Sequence, residues 1–291
     1  MKRRSFLIQT AAVLPLVSFR LPLSSDWFLE DDEGICRGKF ELAVSLALRD
    51  KPFGDIIVEM GKSFLGTDYL ARALEVPGEE RLVVNMRGLD CVSFYENALV
   101  LARCIKKGTM SFEEYKKELQ LIRYRGGVID GYPSRLHYTS DYFHDNVGKG
   151  IWKNVTRDLG GVVYEKTINF MSTHPESYRQ LKENPELIQI IRKQEDEIMK
   201  RETHYIPKEN VAAIQEKIQD GDILGITTDI EGLDTSHTGI ALWQERFVKL
   251  IHAPLAGKKV EISQGTLAEY LARNKRQTGI MIVRPLDPST A

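Results

Sequence analysis

The residues able to do covalent chemistry are few: three cysteines and six histidines in 291 residues. Cys91 stands directly after Asp90 at the head of "DCVSFYENALVLARC". It reads either as a small apolar filler or as a nucleophile. Nucleophilic use needs an ionised thiol, a base and a third group that orients the base. A helix N-terminus favours the thiolate through its unpaired amides and dipole. Such placement, with an imidazolium nearby, lowers the usual thiol pKa of about 8.5 by roughly one to five units. Two histidines suit the other roles. His237 opens "HTGIALW" and His252 closes "VKLIHA". If those two strands pair antiparallel through the turn at 244–246, both imidazoles come to one edge of a sheet, where Cys91 could face them. His137 and His144 lie seven residues apart in "RLHYTSDYFH" without a third close ligand at metal-like spacing. They indicate a surface or substrate-facing loop, and neither a metal nor an organic cofactor is expected.

The elements that must position these groups follow from apolar spacing. Asp90 is a plausible N-cap for a helix in which Phe94, Tyr95, Ala98, Leu99, Leu101, Ala102 and Ile105 cover much of the surface. That helix belongs in a core, with its N-terminal end as the accessible point. Cys104 lies 13 residues further on, about 140° around the axis at ~100° per residue, so it cannot bridge to Cys91. "GKFELAVSLALRDK", "PFGDIIVEMGKSFLG" and "SFEEYKKELQLIRY" have helical spacing, and "EERLVVN" is a short apolar stretch readable as a strand. "ESYRQLKENPELIQIIRKQEDEIMKRE" is helical with a break at Pro185, and another helix starts behind Pro207. The last third, "GDILGITT", "HTGIALW", "FVKLIHA" and "GIMIVRPL", is strand-like, interrupted by the helix "TLAEYLARN". Helices first and sheet later predict an α+β fold, the cysteine helix packed on an antiparallel sheet. The β-poor stretch at about 109–219 reads as a largely helical inserted subdomain.

In order, "LGTDYL", "LDCVSF", "SHTGIAL" and "IHA" resemble the signature of NlpC-type papain-like cysteine hydrolases of bacterial cell walls. "DGYPSRLHYTSDY", "TTDIEGLDTSHTGIAL" and "NKRQTGIMIVRP" are similar to its N-acetylmuramoyl-L-alanine amidase-like branch. The resemblance implies a papain-like core with Cys91 as nucleophile, His237 as base and acid, and His252 orienting His237. It implies that Tyr69 contacts substrate or the developing oxyanion, and that Asp90 matches the acidic residue before the nucleophile, which in endopeptidase relatives holds the free amine of L-Ala. Two departures bear on substrate. Val92 replaces a common Ser, and Ala71, Arg72 and Ala73 replace the usual Trp-Gly-Gly. Both fit a substrate whose L-Ala is blocked by a sugar lactyl group. In the insertion, Tyr132, Tyr138, Tyr142, Phe143 and Trp152 are rings that either stack on sugars or form a small core, and Arg135, His137 and Tyr138 are candidate substrate contacts.

The expected activity is a peptidoglycan amidase that cleaves the bond between N-acetylmuramic acid and L-Ala in muropeptides. The alternatives are a γ-D-Glu–diamino acid endopeptidase on the same fold, a non-catalytic cell-wall binding protein, and an acyltransferase. Forty basic against 41 acidic residues, a formal net charge of -1, do not suit a nucleic-acid partner. "MKRRSFLIQTAAVLPLVSF" has a basic start and an apolar run too short to span a bilayer. Residues 1–25 are therefore expected to be an export signal of Sec or twin-arginine type, with 26–291 a single periplasmic cysteine-hydrolase domain and no stable membrane span.

Overall fold

The computed structural model describes residues 26–290, with side chains from Asp32 onward. The expected export signal lies outside the described residues. The helices are α1 (Asp26–Ser45), α2 (Phe53–Lys62), α3 (Cys91–Lys107), α4 (Phe112–Arg123), α5 (Thr139–Gly148), α6 (Phe170–Thr173), α7 (Arg179–Glu183), α8 (Leu187–Met199), α9 (Val211–Ile214) and α10 (Leu267–Arg273). The strands are β1 (Asp68–Tyr69), β2 (Gly88–Leu89), β3 (Trp152–Asn154), β4 (Val162–Val163), β5 (His204–Pro207), β6 (Ile223–Thr228), β7 (Thr235–Gln244), β8 (Phe247–His252), β9 (Glu261–Ile262) and β10 (Gln277–Pro285). None of the described helices is long and apolar enough to cross a membrane.

Helices come first and an antiparallel sheet later, as the sequence indicates. The sheet runs β4-β5-β10-β6-β7-β8-β9, with β3 also on β10. Its central strands are apolar on both faces because both faces are covered. Ile223, Ile240, Ile251, Met281 and Val283 pack with α2 and α3 residues such as Ile57, Phe94 and Leu99. Leu224, Ala241, Leu250, Ile280 and Ile282 turn the other way, towards Leu267 and Leu271 of α10. The β7–β8 hairpin closes on Glu245 and Arg246 with φ of 52° and 73°, the two left-handed positions of a tight hairpin turn.

Two expectations change. "EERLVVN" forms no strand; side chains satisfy its backbone instead. Arg123 donates to the Val83 carbonyl, and the Tyr124 hydroxyl donates to that of Arg81 at 2.9 Å. The 109–219 stretch is also less separate than its composition suggests. Tyr115, Leu119, Ile122, Tyr142, Phe143 and Trp152 belong to the main core. A second grouping of Tyr132, Tyr138, Ile168, Met171, Leu181, Ile191 and Ile198 forms a core of its own. All five aromatics weighed as sugar platforms are buried, so their rings serve packing.

Candidate active site

Asp90 caps α3. Its Oδ1 accepts from the amides of Val92 at 3.1 Å and Ser93 at 2.7 Å, and Ser93 Oγ in turn accepts from the Asp90 amide at 2.9 Å. This capping box secures the helix start and leaves the Cys91 amide outside the cap. Thr238 Oγ1 on β7 donates to the Cys91 carbonyl at 2.8 Å, pinning the first turn of α3 to the strand that carries His237.

The two histidines meet on β7 and β8. His237 Nε2 and His252 Nδ1 are 2.7 Å apart, with ring centroids 5.0 Å apart and the planes at 73°. Strand register pairs Ile240 with Ile251, so Gly239 falls opposite His252 and His237 lies diagonal to it. Gly239 is required there by space, since an added Cβ would stand 2.8 Å from the Ile251 carbonyl oxygen and 2.6 Å from Leu250 Cδ1. The glycine of "HTGI" lets the strands close so that the rings touch. His252 is 1% exposed, and Tyr270 of α10 meets it edge-on at 5.1 Å.

Burial sets the resting protonation. Desolvation, with a smaller contribution from the Asp90 charge, pushes the Cys91 thiol up to about 12. This runs against the thiolate that the helix start was expected to favour, since loss of water around the sulfur is the largest influence on it. Burial, then the neighbouring His252, lowers His237 to about 3, and burial lowers His252 to about 4. The resting site therefore holds a neutral thiol and neutral imidazoles. His252 engages Nε2 of His237, so Nδ1 is the ring nitrogen left for proton transfer.

Tyr69 reaches the same place through β1, which pairs parallel with β2 by matching Tyr69 to Leu89, two residues before the cysteine. Burial, then the Cys91 and Asp90 charges, raise its phenol to about 12, so it stays a proton donor. Beside Cys91, a cavity of about 140 Å³ is bounded by Asp90, Val92, Tyr95, Arg72, Glu75, Arg135, His137 and Tyr138.

All three expected substrate contacts line that cavity, with unequal polar groups to offer. Arg135 is 4% exposed; Nη2 donates to Glu75 at 2.6 Å and Nη1 to the Leu74 carbonyl at 2.8 Å. It braces the 74–80 loop. The Tyr138 hydroxyl donates to Glu195 at 2.7 Å and accepts from the Met171 amide at 2.9 Å, directed into the smaller core. His137 uses Nε2 on the Tyr132 carbonyl at 3.1 Å, leaving Nδ1 for a ligand; burial, then Arg135, lowers it to about 3. Sequence reasoning missed Thr238 and Tyr95. Tyr95 was findable, one helical turn beyond Cys91 on the same face. Arg72 stood out only as a departure from the usual Trp-Gly-Gly, and its φ of 58° carries no sequence signal.

Several solved structures share this fold. An N-acetylmuramoyl-L-alanine amidase from Bacteroides uniformis matches at 37% identity over 80% of this chain and 98% of its own, TM-score 0.77. A putative xylanase from Bacteroides fragilis matches at 38% identity over 78% and 99%, TM-score 0.74. A Legionella pneumophila protein shares the fold at 22% identity over 90% and 97%, TM-score 0.69. Among curated proteins none matches the chain. The AmiA-like family model matches residues 59–280, the span that holds Tyr69, Cys91, His237 and His252. The chain belongs to the AmiA-like, N-acetylmuramoyl-L-alanine amidase-like family.

Proposed function

We propose that this protein is an exported, periplasmic cysteine amidase that cleaves the amide between the lactyl group of N-acetylmuramic acid and L-Ala in muropeptides, with residues 26–291 as one NlpC-type papain-like domain. The observation that carries the reading is the 2.7 Å His237–His252 contact on a strand whose next residue holds the Cys91 carbonyl.

The neutral resting pair favours proton transfer in concert with attack. Cys91 Sγ bonds to the lactyl carbonyl carbon as its proton passes to His237 Nδ1. The oxyanion that forms is met by the Cys91 amide and the Tyr69 hydroxyl. His237 returns the proton to the departing L-Ala nitrogen, the C–N bond breaks and a thioester remains. Water then attacks the thioester, losing a proton to His237, which passes it to the leaving sulfur.

Asp90 bears on the endopeptidase alternative. Its Oδ1 accepts from two amides and from Ser93 Oγ at 2.8 Å, while Val92 beside it offers no polar atom where endopeptidase relatives commonly have Ser, so the second polar group around a free amine is missing. A glycosidase needs two available carboxylates. Of the two at this cavity, Glu75 is paired with Arg135 and Asp90 holds the helix cap through Oδ1, so no free pair of carboxylates remains. A binding protein without activity would have no use for the aligned histidine pair.

Mass spectrometry of a defined sugar-tripeptide incubated with the mature protein tests the reading. Free sugar acid and a peptide beginning at L-Ala are expected, with no product from Cys91→Ala. Sugar-dipeptide plus free diamino acid would identify an endopeptidase instead, and full activity in Cys91→Ala would overturn the mechanism.

A further inference from the structure

The far side of His252 is incompletely satisfied. Its Nε2 is buried and has no hydrogen-bond partner among the described residues. The carboxylate facing it is Glu261 Oε1, 3.9 Å away. Glu261 is the cross-strand partner of His252 in the β8–β9 pair, so the approach is built into the sheet.

Tautomer bookkeeping shows what this atom must do, given the cysteine mechanism proposed above. For His237 to take a proton at Nδ1, its Nε2 must carry hydrogen and donate to His252 Nδ1. His252 then carries its own hydrogen on Nε2, where it needs an acceptor. Tyr270, the other polar neighbour, is engaged with Gln277. Glu261 has the acceptor chemistry, and its contact closes with a shift of about 1 Å to hydrogen-bond range.

Two features hold the carboxylate near. Gly257 has no side chain where a Cβ would stand 2.7 Å from Glu261 Oε2. The strap leading to Glu261 is laced to the segment before Tyr69 by Gly66 N to Val260 O at 2.9 Å, Val260 N to Thr67 O at 2.8 Å and Tyr69 N to Lys258 O at 2.7 Å.

We propose that Glu261 is a positioning residue for the histidine pair, accepting from His252 Nε2 to fix the reactive tautomer and to balance the imidazolium that forms on His237. No proton passes to Glu261, and it touches no substrate. It acts through His252 alone, as second partners of functional imidazoles commonly do.

The groups facing His252 are His237 from β7, Glu261 from β9 and Tyr270 from α10; Cys91, at the start of α3, acts electrostatically on Tyr270. In the intervening strap Lys259 pairs with Asp68 at 3.5 Å. Removing the Glu261 charge therefore weakens the imidazolium that forms as Cys91 gives up its proton, so His237 should assist attack less and should itself protonate only at lower pH. The test is the pH profile of Cys91 alkylation by iodoacetamide, with kcat and KM on the sugar-tripeptide, in the full mature chain. For Glu261→Gln we expect kcat to fall about fivefold with KM unchanged, and the acidic limb of alkylation, where His237 takes up a proton and stops acting as base, to move down by roughly half a pH unit, a modest shift because the carboxylate is half exposed. Glu261→Ala should lose more, since it also removes the acceptor, and Gly257→Ala should move both readouts the same way by displacing the carboxylate while leaving its charge. A wild-type limb and kcat in both Glu261 variants would overturn the proposal while leaving the cysteine mechanism standing. A parent enzyme whose Cys91→Ala form stays active would remove the mechanism and this role together.

Discussion

Thr238 and Cys91, 147 positions apart, are joined by a hydrogen bond of 2.8 Å from the threonine hydroxyl to the cysteine carbonyl. The bond fixes the axial position of α3 against β7, because it grips the first helical residue at its backbone. His237 then has one placement relative to the helix tip, set by its immediate neighbour in the chain.

Thr238→Val keeps the shape and removes the donor. Stability should fall by about 1 kcal/mol, the usual worth of one hydrogen bond. Activity should fall more than that loss implies, because the helix tip is released. Urea denaturation beside kcat measures both, and an unchanged kcat would mean that packing alone seats α3.

Asp90 does two things that substitution can separate. Asp90→Ala removes the cap and should destabilise by about 1 kcal/mol. Asp90→Asn keeps an accepting oxygen and removes the charge. Since that charge raises the Cys91 thiol further after burial has raised it, Asp90→Asn should alkylate faster at neutral pH than the parent. A slower rate would show that Asp90 supports the thiolate.

Three histidines are held below their ordinary value, His137 and His237 at about 3 and His252 at about 4, each chiefly by burial. In the unfolded chain they titrate near ~6.5. Between about 6.5 and 4 the unfolded state binds more protons, so stability is complete above that window and falls as pH drops through it. Thermal midpoints should decline from pH 7 to pH 4, and His137→Gln should flatten the decline. Parallel curves for parent and variant would refute the assignment for that residue.

Arg72 is exposed, lines the cavity beside Val92, and holds φ at 58°. A non-glycine residue in that region costs roughly 1 kcal/mol, and such strain concentrates at ligand sites. Arg72→Gly should therefore be at least as stable as the parent while KM for an anionic muropeptide rises several-fold. An unchanged KM would mean that the guanidinium does not meet the ligand.

How far the sequence was legible depended on how local the cause was. The α3 start followed from Asp90 and the apolar positions behind it, and the α+β order followed from periodicity. The β7–β8 hairpin was readable from its strands even though Glu245 and Arg246 are not the Asn-Gly pair that usually marks such a turn. "EERLVVN" misled because its partners are Arg123 and Tyr124, side chains from another part of the chain. The Cys91 thiol misled for a related reason. A helix dipole can be read from a string, whereas loss of water around sulfur depends on what the fold brings over it. Arg135 and Tyr138, expected as substrate contacts, line the cavity, but their polar atoms are committed elsewhere, a matter of rotamer and partner.

The sheet has one more consequence. β10, the last strand in the chain, lies inside the sheet between β5 and β6 and also receives β3. During synthesis β6 to β9 can pair with one another, but β3, β5 and β6 each lack a neighbour until residues 277–285 arrive to close the sheet. The sheet should therefore stay in separate parts until its final strand is delivered, and a chain truncated before Gln277 should be a protease substrate rather than a weak enzyme.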